Sequence, residues 1–183
     1  FLTQLDKCFY ADNGSSAVEV ALKMSFHYWR NKNQNNKTKF VALKNSYHGE
    51  TLGALAVGDV ALYKQTYAPL LMDVLTVDAP NILFNQSIEE QFAPMRELLS
   101  QKNQAICAVI IEPLVQCAGN MQMYSPEYLR LLRAACDEYQ VHLILDEIAV
   151  GFGRTGKLFA HQHAAIRGDM VCVSKGLTGG TLP

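Results

Sequence analysis

The stretch that decides the fold is HLILDEIAVGFGRTGKLFAHQHAAIRGDMVCVSKGLTGG, residues 142–180. Residues 142–145 form a short apolar run of strand length that stops abruptly on Asp146-Glu147. Residues 170–173 form a second such run, which ends in Ser174-Lys175-Gly176. Open α/β sheets bind ligands in the crevice outside the carboxyl ends of their strands. The pattern therefore predicts a carboxylate and an amine at corresponding ends of two buried strands.

Working outward, apolar runs at residues 40–43, 72–77 and 106–111 predict further strands. The last is rich in Ile and Val, as a strand covered on both faces is. Residues 7–11 carry a weaker strand signal in Phe9-Tyr10. Ala17, Val18, Ala21, Leu22, Ser25, Tyr28 and Trp29 recur at helical spacing. Ser16-x-x-Glu19 predicts a capping box that starts this helix near residues 15–17. Residues 51–57 read as a small buried helix and residues 63–71 as loop. Ser87-x-x-Glu90 predicts a second capping box ahead of a helix near residues 86–101, with Pro94 as its boundary or kink. Ser125-Pro126-Glu127 starts another helix, with Tyr128, Leu131, Leu132, Ala135, Cys136 and Tyr139 as its apolar stripe. Strands alternating with helices argue an α/β fold, a mostly parallel sheet with helices on both faces.

Composition agrees. The 183 residues are 49% hydrophobic and 18% charged, enough for one domain with a sizeable core. A formal charge of −1 gives no reason to expect nucleic acid or an acidic surface as partner. The best apolar run, residues 105–111, stops at Glu112, well short of the about 20 residues that span a membrane. Cys8, Cys107, Cys117, Cys136 and Cys172 are widely spaced without a CxxC pair. They read as reduced thiols of a cytoplasmic protein, and no metal site is read from them. The chain opens on Phe1 and closes on Pro183, and both ends read as cuts in a longer protein.

An amine and a carboxylate over a sheet suit few chemistries. One is condensation of the amine with the aldehyde of pyridoxal phosphate. That cofactor needs an amine, an anion for its pyridinium nitrogen, flat apolar walls and a phosphate cradle. Lys175 is the candidate amine and Asp146 the candidate anion. Asp146 and Ile148 are two apart, so a continuing strand points both to one side and Glu147 to the other. Ile148 would then pack on the ring. An ion pair at ~4 Å is worth about 4 kcal/mol at an effective dielectric near 20, before desolvation is charged against it. Lys175, partly desolvated beside a cationic ring, is expected to have a lowered pKa. Gly14-Ser15, opening a helix, offers free N–H groups and the positive end of the helix dipole to a phosphate. Tyr47, just past a strand, can stack on a ring, although a half-buried tyrosine is the commoner fate. Glu112 ends the strand at residues 106–111 and is a further candidate cofactor contact. His48 could be an acid or base; a hydrogen-bonded structural histidine is the commoner case.

A rival reading starts from Gly151-Phe152-Gly153-Arg154-Thr155-Gly156, a literal GxGxxG after a strand, with Asp169 near the spacing of a ribose-binding acid. It implies a dinucleotide-binding dehydrogenase domain. Two details oppose it. Asp169 precedes its strand, and the run after Gly156 is short and weakly periodic where a long crossover helix belongs.

DEIAVGFGRTGKLFA and SKGLTGG, with GSSAVEVALKM and YHGET upstream, resemble the class III aminotransferases of the pyridoxal-phosphate fold-type I superfamily. The resemblance runs over essentially the whole chain, in order. It implies that Asp146 holds the ring nitrogen, Ile148 touches the ring, Lys175 bonds the cofactor, Gly14-Ser15 bind phosphate and Tyr47 stacks. Tyr47 and Lys175 would also face substrate. It implies a cytoplasmic homodimer in which residues 1–183 are the central part of the large cofactor domain. An amino-terminal segment and a carboxyl-terminal small domain would lie beyond them. Ala149 stands where ornithine- and GABA-type members carry a glutamine, and Cys117 where they carry a gateway glutamate. With EPLVQ, MQMYSPEYL and KGLTGGTLP, these imply the branch that moves an amino group from S-adenosylmethionine to 8-amino-7-oxononanoate in biotin biosynthesis. Glu50 where Asp is expected, Cys117 where Gly is expected and Val150 where Thr is common are departures, the first two bearing on substrate fit. Class III members acting on ω-amino acids or diamines, racemases and decarboxylases of the superfamily, and an inactive cofactor-binding piece all share these cofactor residues.

Overall fold

The computed structural model describes residues 5–182. In chain order, α1 (Gly14–Asn31) leads to β1 (Lys39–Leu43), α2 (Leu52–Val57), α3 (Ala61–Lys64) and a 3-10 turn at Gln65–Leu70. Then come β2 (Leu75–Val77), α4 (Ile88–Lys102), β3 (Ile106–Ile111), and the short antiparallel pair β4 (Val115–Gln116) and β5 (Gln122–Met123). α5 (Pro126–Glu138), β6 (His142–Asp146) and β7 (Met170–Cys172) complete the order. Five strands form one parallel sheet, ordered β2-β1-β3-β6-β7. The chain leaves β1 towards one edge and returns past it to β3. The order therefore reverses between β1 and β3, and a doubly wound sheet opens its ligand crevice at that point.

Alternation along the strands builds two cores. Phe40 and Ala42 of β1, Ala108 and Ile110 of β3 and Ile144 of β6 face α1 and α2, where they pack with Val18, Leu22, Trp29, Ala54 and Val57. Val41, Leu43, Val109, Ile111, Leu143 and Leu145 face the other side, against Phe92, Met95 and Leu99 of α4 and Tyr128, Leu129 and Leu132 of α5. Every residue of β3 is buried, as a central strand covered on both faces requires. A register shift at Lys39/Phe40 sets Cys107 out of the β1 pairing. At the amino end of the sheet Lys37 is buried, and its Nζ donates to the carbonyls of Asn103 (2.7 Å), Ile106 (3.0 Å) and Gln140 (2.9 Å). This ammonium ties the end of α4, the start of β3 and the end of α5 together over the Trp29 ring, 4.4 Å away. Its burial pulls its pKa down.

The expected strands and main helices are present, and several local expectations are not. Residues 7–11 are exposed and irregular, with no partner strand among the described residues. Residues 63–71, expected as loop, hold the end of α3 and the 3-10 turn. The box at Ser16-x-x-Glu19 does not form. Asn13 caps α1 instead, its Oδ1 accepting from the Ser16 amide at 2.9 Å. Glu19 turns to α2, whose own N-cap Thr51 makes no side-chain bond, and accepts from the Gly53 and Ala54 amides at 2.6 and 3.1 Å. The box at Ser87 and Glu90 forms as expected, but α4 runs through Pro94 to Lys102. On α5 the buried stripe includes Leu129, while Leu131 is only partly buried.

Candidate functional site

Strands β1, β3, β6 and β7 lie side by side, so the residues that follow them share one rim of the sheet. Tyr47 and His48 follow β1, Glu112 follows β3, Asp146 ends β6 and Lys175 comes three residues after β7. Asp146 is in register with Cys172, which sets the aspartate beside the strand that leads to Lys175.

Asp146 is buried, at 3% exposure. Its Oδ2 lies 2.7 Å from His48 Nδ1, and its Oδ1 accepts from the Ile148 amide at 3.1 Å. The second bond is an Asx-type turn, and it ends the strand. The expectation that Asp146 and Ile148 share a face because the strand continues is therefore corrected: β6 stops at Asp146. Ile148 reaches the site from the turn, its side chain within 3.1 Å of where a Cβ on Gly14 would stand. Glu147 does point away. Wholly buried, it accepts from the amides of Ala160 (2.9 Å) and His161 (2.8 Å) and lies 2.8 Å from His161 Nδ1. His48 is the structural histidine that the sequence allowed, and it braces the buried carboxylate. Its Nε2 meets no partner among the described residues.

Gly14 and Ser15 open α1 against this rim. A Cβ on Gly14 would crowd the Ile148 side chain at 3.1 Å and touch Ser174 at 3.5 Å, so the helix starts close against the residues that follow β6 and β7. Asn13 takes the next two amides, Ser16 by its side chain and Ala17 by its carbonyl. The N–H groups of Gly14 and Ser15 meet no acceptor among the described residues. The Tyr47–Glu50 turn docks here. Gly49 has a positive φ of +124° and lies so near Ser15 that a Cβ would stand 2.2 Å from Ser15 Oγ. The Glu50 amide donates to that same Oγ at 3.2 Å.

Tyr47 is half-buried. Its hydroxyl donates to Glu50 at 3.1 Å, and its ring packs edge-on against Tyr63. Burial, then the Glu50 carboxylate, push its phenol up to about 12, so it stays a neutral donor. Glu112 is buried, and both of its oxygens are used: one accepts from the Tyr47 amide at 2.9 Å, the other from the Cys117 amide at 3.1 Å. Burial raises its pKa to about 7, with the Asp146 charge adding to the rise; His48 and the two amides oppose it. Glu112 thus braces the Tyr47 turn and the Cys117 loop at the rim. Cys117 is raised by burial and by Glu112 and Asp146, and the positive charges of Lys175 and Arg154 oppose that rise. Lys175 itself is exposed, so these residues do not supply the desolvation expected for it. Its backbone has a φ of +38°, uncommon for a side chain of this size.

The glycine turn of the rival reading holds no crossover helix, only turns and the 3-10 segment Ala160–His163. Asp169 accepts from the Leu143 amide and pairs with Arg133, which leaves it no ribose to bind. The rim fits pyridoxal phosphate instead: a buried aspartate for the ring nitrogen, two unpaired helix amides for the phosphate, apolar Ile148, an aromatic at Tyr47 and an amine at Lys175.

Comparison with known proteins agrees with that geometry. The family model "Aminotransferase class-III" matches residues 1–183. The adenosylmethionine-8-amino-7-oxononanoate aminotransferase of Helicobacter pylori is 54% identical over 183 residues, covering 100% of this chain and 42% of that protein. The protein of that name from Anoxybacillus flavithermus is 39% identical over 187 residues, covering 99% and 41%. Among solved structures, the one of that name from Methanocaldococcus jannaschii superposes with a TM-score of 0.87 at 35% identity, covering 96% of this chain and 40% of its own. An amine transaminase from an uncultivated Pseudomonas species, solved in its PLP-bound form, gives 0.86 at 34% identity, covering 94% and 41%. The chain thus spans about two-fifths of the length of these relatives. With the family model matching every residue, the chain belongs to the class-III aminotransferases.

Proposed function

We propose that this chain is the central part of the large cofactor domain of a pyridoxal-phosphate aminotransferase. The whole protein would move an amino group from S-adenosylmethionine to 8-amino-7-oxononanoate, giving 7,8-diaminononanoate in biotin biosynthesis. The observation that carries the chemistry is Asp146, buried at the end of β6, braced by His48 and the Ile148 amide, in register with the strand that leads to Lys175. Identity of 54% to the Helicobacter pylori enzyme supports the choice of substrates.

Pyridoxal phosphate, when bound, supplies an electron sink through which an amino group is exchanged between donor and acceptor. The chain's own residues hold and serve it. The Gly14 and Ser15 amides donate to the phosphate, aided by the α1 dipole. Asp146 keeps the proton on the ring nitrogen, and His48 keeps Asp146 in place. Ile148 and Tyr47 wall the ring, and Tyr47 also faces the substrate. Lys175 would hold the cofactor through its amine and, when that amine is free, would carry a proton to or from the donor's α-carbon. In the homodimer we propose, the remaining pocket wall comes from outside residues 1–183, including an amino-terminal segment and a carboxyl-terminal small domain.

The test is initial-rate kinetics on the complete protein with both substrates. An exchange through one site predicts ping-pong behaviour, hence parallel double-reciprocal lines. Intersecting lines would refute the single-site exchange. Turnover with ω-amino acids and none with S-adenosylmethionine would refute the donor and leave the chemistry standing.

A further inference from the structure

The Lys175 side chain is exposed, so its own packing does not fix its place. Its backbone does. It lies in a tight turn in which the Leu177 amide donates to Ser174 O (2.9 Å) and the Gly180 amide to Lys175 O (3.3 Å). The turn holds Lys175 at a φ of +38°, a left-handed conformation that a lysine keeps only when its surroundings impose it. At Gly176 that turn comes close to Phe152. A Cβ there would stand 3.0 Å from both Cβ and Cδ2 of Phe152.

Phe152 is itself held. It has a φ of +59°, and its ring meets Phe159 edge-on with centroids 5.5 Å apart. Phe159 stacks on His161 at 5.7 Å with their planes 14° apart. His161 Nδ1 lies 2.8 Å from the wholly buried Glu147, which also takes the Ala160 and His161 amides. The Gly151 amide closes the loop's other end on the Glu147 carbonyl at 2.9 Å. A column therefore runs from Glu147 through His161, Phe159 and Phe152 to Gly176. Its base is the residue next to Asp146 in sequence, and its top is the residue next to Lys175.

We propose that Phe152, seated on the Glu147–His161–Phe159 column, is the positioning residue that sets the backbone of Lys175 over the site. The inference rests on the reading of Lys175 as the amine that bonds the cofactor. Asp146 and Lys175 then take their places from opposite sides of one dipeptide: Asp146 directly, and Lys175 through the side chain of Glu147.

The experiment compares wild type, Phe152→Ala and Phe152→Leu in the complete protein, by two readouts. The first, amide hydrogen exchange, needs no cofactor. Phe152→Ala is expected to speed exchange of the Leu177 and Gly180 amides by about tenfold or more while the β6 amides keep their protection. Phe152→Leu, which still fills the space, should stay near wild type. The second is the pH titration of the absorbance of Lys175-linked cofactor, read with the kinetics. In Phe152→Ala its midpoint should move, and kcat should fall by about tenfold or more with the donor KM little changed, since misplacing a reacting group costs rate. Wild-type exchange together with a wild-type titration in Phe152→Ala would overturn the proposal. If wild type itself forms no linked cofactor, the Lys175 reading has failed, and hydrogen exchange alone decides whether Phe152 holds the turn. If Phe152→Ala does not fold, Gly176→Ala pushes on the same contact from the other side. It must displace the titration likewise, and an unchanged midpoint would refute the role.

Discussion

Glu112→Gln gives the sharpest test of the electrostatics at the rim. The carboxyl is buried beside Asp146 and its pKa is raised from 4.5 to about 7. The folded protein therefore holds that proton more tightly than the unfolded chain does. The stability this adds is complete below pH 4.5 and is lost as the pH rises through about 7. The displacement corresponds to about 3 kcal/mol. Glutamine has the same shape and no charge to desolvate, so the variant lacks the loss. The assay is urea unfolding followed by the fluorescence of Trp29, the only tryptophan of the chain, on cofactor-free protein between pH 4.5 and 8. Ionisations remote from Glu112 cancel in the difference. Relative to wild type, the variant should gain about 3 kcal/mol between the two ends of that range. At any single pH an offset is expected as well, because a glutamine cannot accept from both the Tyr47 and Cys117 amides as the carboxylate does. A difference that stays flat within about 1 kcal/mol across the range would refute the buried-carboxylate account.

Two further outcomes follow from the geometry. Gly49→Ala would put a methyl 2.2 Å from Ser15 Oγ and 3.0 Å from Ser15 Cα at a φ of +124°, so Ser15 and the turn docked on it must shift apart. Affinity for pyridoxal phosphate should fall by about tenfold or more, roughly 1.4 kcal/mol, and affinity for pyridoxal without its phosphate should change less. Equal losses for both would refute a phosphate cradle at this turn. Lys37→Met keeps the length of the side chain but removes the ammonium from the Asn103, Ile106 and Gln140 carbonyls, of which Asn103 keeps the Ile106 amide. The urea midpoint should fall by the equivalent of at least about 3 kcal/mol; a loss below about 1 kcal/mol would show that water replaces the ammonium freely.

What the sequence made legible was what neighbouring residues decide. The apolar runs at residues 40–43 and 142–145, the uniform apolarity of β3 and the Ser125-Pro126 helix start all follow from local chemistry, and each became the expected element. The ends of β6 and β7 likewise set Asp146 and Lys175 on one rim. What the sequence hid was choice between partners. Glu19 stands three residues after Ser16, as in a capping box, yet α2 arrives with uncapped amides and takes it. Asp146 turns back on the Ile148 amide, so a two-residue periodicity assumed to continue ends there. The amides that Glu112 braces come from 65 residues earlier and 5 later, a pairing that no local pattern announces. His48 could be matched to Asp146, 98 positions further on, only once the chain between them was folded. The Phe152–Phe159–His161 column has no periodic signature, since its members sit in turns and a short 3-10 segment.

The central claim is that Lys175 bonds pyridoxal phosphate over Asp146. Its most direct test is borohydride reduction of the complete protein mixed with pyridoxal phosphate, followed by peptide mapping. The account predicts an absorbance band that reduction abolishes, with the phosphopyridoxyl mass on the peptide that contains Lys175 and no band in Lys175→Ala. The same mass on another lysine, or a band that survives in Lys175→Ala, would contradict it.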